Sequence, residues 1–194
     1  MRKFLTMLAA LATLSLTNCG YNAIQTNDEQ VKSAWSEVLN QYQRRADLVP
    51  NLVATVQGYA KQEKDVLTQV TEARAKATSI NLTADDLTDP EKVKALQQAQ
   101  AQLSGALGRL LAVSENYPDL KSNQNFLALQ SQLEGTENRI AVARKDYIAA
   151  AQDFNTELRT FPTVIWANTV FRSVKPLVPF TAETEAQTAP KVKF

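Results

Sequence analysis

The sequence predicts an all-α protein: an elongated antiparallel up-down helical bundle of three long helices, with a short fourth helix near the C-terminus. Three observations favour this class. Apolar residues recur every seven positions along three segments, as on a helix with one buried face. No run alternates apolar and polar residues at a period of two, as a half-buried strand would. With five glycines and seven prolines among many Ala, Gln, Leu, Glu and Lys, the composition also favours helix.

The chain begins with a segment typical of a bacterial export signal. Arg2 and Lys3 form its charged start, and the apolar run FLTMLAALATLSL follows at residues 4–16. A helix of that length covers roughly 20 Å, whereas the hydrocarbon core of a bilayer is about 30 Å thick, so the run is too short to span a membrane. LTNC, at residues 16–19, then resembles the motif at which lipoproteins are cut before a lipidated cysteine. Asn18 departs from the Gly, Ala or Ser usual at its position.

Cys19 is the one cysteine of the chain, and we expect it to carry lipid as the mature N-terminus. A lone cysteine closes no intrachain disulfide, and the chain has no histidine to activate a nucleophilic thiol. An uncleaved N-terminal anchor is the alternative. Gly20, where Asp would signal inner-membrane retention, favours the outer membrane facing the periplasm in a Gram-negative cell. The expected organisation is a signal peptide at 1–18, an anchor linker at 19–27, the bundle at 28–180 and an extended or mobile tail at 181–194.

The charge of the mature chain implies no electrostatic partner. Without residues 1–18 it has 19 basic and 20 acidic side chains, because the segment removed contains two of the 21 basic residues and none of the 20 acidic ones. Proteins that bind nucleic acid usually carry a basic excess clustered on one face, and this chain has neither. We therefore expect no nucleic-acid partner.

The first long helix is predicted from about Asp28 to Ala77. Pro50 falls inside it, where a proline removes one backbone hydrogen bond and collides with the carbonyl of Ala46 at a cost of about 3 kcal/mol. The seven-residue phase continues past Pro50, which favours one bent helix over a break and restart. The apolar lines are Val31, Val38, Leu52, Tyr59, Val66 and Ala73, and Trp35, Tyr42, Val49, Val56, Val70 and Ala77.

The second and third helices have clearer boundaries. Asp89 and Pro90 are a cap residue followed by proline at the first helical position, and NYPDL at 116–120 ends the second helix. Pro162 ends the third helix, and residues 163–171 are predicted to form the short fourth. The second helix is too short to cover the long pair, so the C-terminal segment, a second copy in a homo-oligomer, or nothing covers the rest. The third helix carries Phe126, Leu133, Ile140, Tyr147, Phe154 and Phe161 at a constant spacing of seven.

Two charges interrupt the apolar lines of the first helix, namely Arg45 and Glu63. Each could reach water from a bundle end. Alternatively Arg45, beside Arg44 and Asp47 near the proline, forms a buried ionic contact or a docking point for a partner. Charged residues within 137–146 are candidates to face Arg45 or Glu63 across the bundle.

The C-terminus supplies two further candidates for interaction. Val192 and Phe194 form an apolar-x-apolar end with a free carboxylate, the form that PDZ-type domains capture. Their packing onto the bundle itself is the alternative that we favour.

Several segments together resemble the LemA family. They are AWSEVLNQYQRRADLVPNLVATVQGYA at 34–60, VTEARAKA at 70–77, the stretch from ENYPDL to ELRTFP at 115–162, and PKVKF at 190–194. Their order and spacing cover nearly the whole mature chain. The resemblance implies an N-terminally anchored, extracytoplasmic, antiparallel bundle of four-helix type, and it implies no reaction.

An enzyme is disfavoured by the residues themselves. Without histidine, the Glu-x-x-His sites of di-iron bundles and the Ser-His and Cys-His catalytic pairs cannot be built. Asp85, Asp86 and Asp89 lack the glycine and terminal glutamate of an EF-hand loop, and we expect them to cap helices. We therefore expect no enzyme, no cofactor and no metal site. The leading hypothesis is a non-catalytic lipid-anchored envelope module with an envelope protein as partner, and the alternative is a sensor that binds a ligand between its helices.

Overall fold

The computed structural model describes the backbone of residues 2–181 and the side chains of residues 20–181. The described backbone is helical, with loops and no strand, which confirms the all-α class. Its elements in chain order are α1 (Arg2–Tyr59), α2 (Lys64–Ser79), a 3-10 helix (Asp85–Thr88), α3 (Pro90–Ser114), α4 (Pro118–Lys121), α5 (Gln124–Glu157) and α6 (Thr163–Thr169). In this described part, no helix is both long and apolar enough to cross a membrane.

The helices α1, α2, α3 and α5 form an up-down bundle in which α1 and α5 are the central antiparallel pair. At one end, Trp35 of α1 stacks on Tyr147 of α5 with ring centroids 5.4 Å apart. At the other end, Asn123 Nδ2 donates a hydrogen bond of 2.8 Å to the hydroxyl of Tyr59. The antiparallel helical bundle expected from the seven-residue repeats is therefore confirmed.

Pro50 lies inside α1, and the predicted passage of the helix through it is confirmed. Because proline has no backbone N–H, the carbonyl of Ala46, four residues earlier, loses its helical partner. Arg74 of α2 replaces that partner, since its Nε donates to the Ala46 oxygen at 2.8 Å. A side chain from the neighbouring helix thus satisfies the carbonyl that the proline leaves unpaired, which removes much of the cost of breaking the backbone ladder.

The predicted extent of the first helix to Ala77 is wrong, because α1 ends at Tyr59 and α2 begins at Lys64. The chain reverses across residues 60–63, so that Arg74 lies beside Ala46. The prediction failed because both helices bury a stripe of the same spacing against one core, and the four intervening residues leave the seven-residue phase nearly unchanged. The bundle therefore has a second helix of 16 residues that the sequence had merged into the first.

The bundle has two cores, one at each end. We call the end with Gly20 and α6 the basal half, and the end with connections 60–63 and 115–123 the distal half. The distal core is closed chiefly by helices, through Val49, Leu52, Val56, Leu67, Val70, Leu103, Leu107, Leu110, Phe126 and Leu133. The basal core combines the long pair with other segments, mainly through Val31, Trp35, Val38, Leu87, Val93, Leu96, Ile140, Tyr147, Phe154 and Phe180.

The C-terminal segment, residues 170–181, covers the long pair in the basal half. Phe180 is buried between Trp35 and Tyr147, with ring centroids 6.0 and 5.1 Å away. The backbone N–H of Val178 donates to the Leu87 oxygen at 2.8 Å. The sequence left open whether the C-terminal segment, a second copy or nothing covers the long pair. The structure shows that the C-terminal segment does so.

The helix boundaries near proline follow the prediction closely. Asp89 caps α3, because its carboxylate accepts hydrogen bonds from the backbone N–H of Glu91 and of Lys92 at 2.9 and 3.3 Å. The short fourth helix is present as α6. The regular line of the third helix, however, ends early: α5 stops at Glu157, and Phe161, which was expected to continue the buried line, is 72% exposed.

Candidate functional site

Arg45 is the buried charge of the bundle core and lies where the two halves meet. Only 2% of its surface is exposed, although α1 presents apolar residues on the same line above and below it. Its Nη1 donates to Ser104 Oγ at 2.6 Å and to Glu137 Oε1 at 2.8 Å. Its Nη2 donates to the side-chain oxygen of Gln100 and, at 3.4 Å, to the backbone oxygen of the same residue. The guanidinium therefore connects α1, α3 and α5.

The ion pair of Arg45 and Glu137 is the buried ionic contact that the sequence left open as an alternative, and Glu137 belongs to the candidate segment 137–146. The alternative, that Arg45 reaches water from a bundle end, is wrong for this residue. The pair is only half withdrawn from water, because the Glu137 side chain remains 38% exposed. Burying the guanidinium without this carboxylate would cost several kcal/mol, since an unpaired charge in a core loses its hydration without compensation.

A groove of about 830 Å³ opens beside this ion pair, between α3 and α5. Its walls are mostly amide, hydroxyl and charged side chains, so a molecule lying in it would meet many hydrogen-bond donors and acceptors. The lining residues are Tyr42, Arg45, Lys94, Gln97, Gln98, Gln100, Ala101, Gln102, Ser104, Glu137, Ile140, Arg144 and Thr181.

The charges of the groove lean positive once the ion pair is formed. Arg45 and Glu137 neutralise each other, while Lys94 and Arg144 remain. The Arg144 guanidinium lies 4.8 Å from the centre of the Phe180 ring, which ties the groove to the covering segment. Burial raises the pKa of Tyr42 above its ordinary value, so this hydroxyl stays protonated and neutral at physiological pH. The groove is thus suited to bind polar or anionic groups.

The other predicted interaction residues lie outside this groove. Arg44 and Asp47 are exposed on α1, and Asp47 accepts a hydrogen bond from Gln43 Nε2 at 2.7 Å. Glu63 lies in the turn between α1 and α2 at the distal end, where it accepts a 3.0 Å hydrogen bond from the Tyr117 hydroxyl. Its location agrees with the bundle-end alternative. Val192, Phe194 and the side chain of Cys19 lie outside the described residues.

Gln100 and Ser104 were missed in the sequence, although both touch Arg45. A signal was present for Gln100, because it occupies a buried position of the α3 face between Leu96 and Leu103. A polar residue at such a position indicates a buried hydrogen-bond partner on a neighbouring helix. Four residues later, Ser104 is on the same face of α3 as Gln100, as the helical repeat requires.

The acidic residues around the 3-10 helix act as the sequence predicted, as local caps. Asp86 accepts hydrogen bonds from the backbone N–H and hydroxyl of Thr83 at 2.9 and 2.8 Å, and it pairs with Lys92 at 2.5 Å. The Lys92 ammonium and the Thr83 donors hold the pKa of the Asp86 carboxyl well below its usual range. Across the side chains described, no three acidic or cysteine residues come together as a candidate metal site.

The fold and this groove define a class: an up-down helical bundle that holds a buried ion pair beside a polar groove. Within that class the family is shown directly, because the model of the LemA family matches residues 34–194. The chain belongs to the LemA family.

Curated relatives extend the comparison. Magnetosome protein MamQ 2 of Paramagnetospirillum magneticum is 30% identical over an alignment of 174 positions, which covers 81% of this chain and 63% of that relative. Protein LemA of Metamycoplasma hominis is 25% identical over an alignment of 172 positions, which covers 87% of this chain and 73% of that protein. The chain thus spans somewhat less than two thirds of the length of the magnetosome relative.

Proposed function

We propose that this LemA-family protein is a non-catalytic module of the bacterial envelope that binds another envelope protein through the groove beside Arg45. The observation that carries the proposal is the placement of a buried, paired arginine at the wall of a half-open polar groove. In this proposal the chain is attached to the outer membrane by lipid on Cys19, and the bundle faces the periplasm.

The groove chemistry supports binding without catalysis. Its carboxylate, Glu137, is held by Arg45, and its phenol, Tyr42, stays protonated, so neither group is a ready proton acceptor. Glutamine side chains from four positions of α3 line the groove, and their amides match the N–H and C=O groups of an extended peptide. Lys94 and Arg144 favour a partner segment that carries acidic residues.

Photo-cross-linking in living cells tests the protein-binding role. A photoreactive residue at Gln98, which is exposed at the groove, is expected to cross-link a discrete envelope protein that mass spectrometry identifies. The same residue at Val142, which is 58% exposed on α5 and does not line the groove, is the matched control. Equal cross-linking from both positions, or none from Gln98, would contradict the proposal.

A ligand-binding sensor is the second candidate, and the size of the groove favours it. A volume of about 830 Å³ falls within the range of pockets that hold small molecules. Native mass spectrometry of the full chain purified from cells separates the two candidates. A sensor retains a small anionic or polar molecule that is lost in an Arg45→Met variant, whereas a protein-binding module gives the mass of the chain alone.

Lipid attachment has its own test. We expect the membrane form to begin at Cys19 and to carry the mass of a lipid-modified cysteine. A Cys19→Ser variant should keep Met1 and lack the mass of the lipid. An intact Met1 on the native protein would show that the uncleaved anchor is present instead.

A further inference from the structure

The basal end of the bundle exposes large apolar side chains around α6. Phe161, Ile165 and Val170 are 72%, 53% and 57% exposed. Ile165 lies on the solvent side of α6, Phe161 precedes the first residue of that helix by two positions, and Val170 follows its last residue. Tyr21 of α1 is 42% exposed, and its ring centroid lies 5.2 Å from that of Phe171, the residue after Val170. We call these four residues the basal patch. Exposed apolar side chains of this size contribute no burial energy to the fold, and a group of them marks a surface that binds a partner.

The patch lies directly beside the residue that follows Cys19. Gly20 packs so closely on α6 that a Cβ atom there would lie 2.9 Å from Trp166 Cδ1 and 3.0 Å from the Thr163 Cα. The Tyr21 ring contacts Trp166 edge-on with centroids 6.0 Å apart. The backbone of α1 continues as helix from Gly20 back to Arg2. An anchor in residues 1–19 is either lipid on Cys19 or the retained apolar run. In both cases it joins the bundle at Gly20, which packs against α6.

The charges around the patch favour an anionic surface. The segment from 159 to 181 contains Arg159, Arg172 and Lys175 and no acidic residue. All three basic side chains are exposed. Aromatic and aliphatic residues flanked by Arg and Lys are the composition of segments that rest in the headgroup region of a bilayer, and each basic residue near an anionic leaflet contributes about 1 kcal/mol.

We propose that the basal patch rests on the membrane surface, with Phe161, Ile165 and Val170 in the headgroup region and the basic side chains on anionic lipid. This inference depends on the membrane attachment in the proposed function. The bundle then stands on the bilayer through α6, with its orientation fixed, and the Arg45 groove is held away from the membrane. A lipid surface is favoured over a protein partner because the patch is continuous with the anchor and the exposed charges of residues 159–181 are all positive, while the nearby Glu157 accepts a hydrogen bond from the Thr163 hydroxyl.

Tryptophan quenching by brominated lipid tests this contact. Trp166→Phe leaves Trp35, which is 3% exposed in the core, as the remaining tryptophan. In that background, Ile165→Trp places a reporter in the patch, and Val142→Trp places a reporter at a similarly exposed position on α5. The full chain, with the N-terminus it carries in cells, is reconstituted into vesicles of anionic lipid with brominated acyl chains.

We expect the reporter at residue 165 to lose at least half of its fluorescence, while the reporter at residue 142 keeps its signal. Flotation of the same vesicles measures attachment separately. Floating protein with equal signals from both reporters would overturn the docking inference and leave the attachment standing. Protein that does not float would overturn the attachment and the inference with it. If a photoreactive residue at position 165 cross-linked a protein and no lipid, the patch would bind a protein partner and the membrane proposal would be wrong.

Discussion

The two halves of the bundle are closed by different means. In the distal half four helices meet, and their apolar stripes fill the core. In the basal half α2 is absent, and loops together with the C-terminal segment fill its place. Their backbone polar groups are satisfied from the core side: Trp35 Nε1 donates to the Leu82 oxygen at 3.1 Å, and the Tyr147 hydroxyl donates to the Val178 oxygen at 3.0 Å. A helix satisfies its own backbone, whereas a covering loop needs polar side chains placed for it.

This difference means that the basal half depends on a few anchoring side chains. Asn155 shows the arrangement: its amide donates to the Leu177 oxygen, and its carbonyl accepts from the Leu177 N–H, both at 2.8 Å. One side chain therefore fixes one turn of the covering segment. The apolar contacts of the distal core are instead spread over several helices. The two halves should respond differently to single substitutions.

Phe180→Ala is expected to have the largest effect. It removes the aromatic side chain that joins the covering segment to Trp35 and Tyr147, and burial of this kind typically contributes about 3 to 5 kcal/mol. Denaturant unfolding measures the loss. Hydrogen exchange should accelerate in residues 24–42 and 140–158 and remain slow in α2. Leu110→Ala in the distal core is the control, and uniform acceleration by both variants would show that the halves are not separable.

Glu137→Gln tests the Arg45–Glu137 ion pair, which lies where the two halves meet. The buried Arg45 loses its counter-charge, and we expect about 2 kcal/mol of destabilisation, reduced by the partial exposure of Glu137. Arg45→Met combined with Glu137→Gln should be more stable than Glu137→Gln alone, because no unpaired charge remains. Denaturant titration of the three variants gives the comparison. A double variant less stable than Glu137→Gln alone would show that the arginine stabilises by packing and hydrogen bonds instead.

Arg74→Met tests how the bundle tolerates Pro50. The variant keeps the length of the side chain and leaves the Ala46 oxygen without its donor, which should cost about 1 to 2 kcal/mol. If that carbonyl is the reason, Arg74→Met should cost almost nothing in a Pro50→Ala background, because alanine restores the helical N–H. Equal costs in both backgrounds would assign the role of Arg74 to packing alone. Thermal unfolding of the four proteins decides between these outcomes.

Gly20→Ala tests the close packing of α6 on α1. The added methyl group would lie within 3.1 Å of Trp166 and Thr163 atoms, so α6 must shift, at a cost of about 1 kcal/mol. Gly108→Ala is the matched control, since nothing lies within 4 Å of its Cβ position in α3. That control should stabilise the protein by about 0.5 to 1 kcal/mol, because alanine is the better helix former. Opposite signs in thermal unfolding are the expected result.

Alkaline pH should open the basal half first, with an effect about as small as that of Gly20→Ala. Burial raises the pKa of Tyr147 to about 12, while the unfolded value is near 10. The native state therefore keeps this proton longer, and the associated stability is present below pH 10 and lost as pH rises towards 12. At pH 11 the loss is about 1 kcal/mol. Hydrogen exchange of the protein and of a Tyr147→Phe variant at rising pH isolates the contribution of Tyr147. If the variant lost stability with pH in the same way, Tyr147 would not be the cause.

The sequence predicted most of the fold because its helices carry regular apolar repeats. It correctly predicted the start of α3 at Asp89-Pro90, the passage of α1 through Pro50 and the regular buried line from Phe126 to Phe154. The turn at 60–63 was missed because the apolar phase carries across it. Arg45 was recognised as anomalous on α1, whereas Gln100 and Ser104 were missed, although the position of Gln100 on the apolar face of α3 was a signal.

The sequence by itself determined the helical class, the helix starts at capped prolines, and the family, because these depend on local periodicity and on the order of short segments. Tertiary structure decided what no local pattern encodes: the antiparallel return of α2, the pairing of Arg45 with Glu137, and the covering of the basal half by residues 170–181. Each of these joins residues that lie far apart in the chain. Their contacts are chosen by which surfaces and unpaired polar groups remain after the helices have packed, and that choice exists only in the assembled bundle.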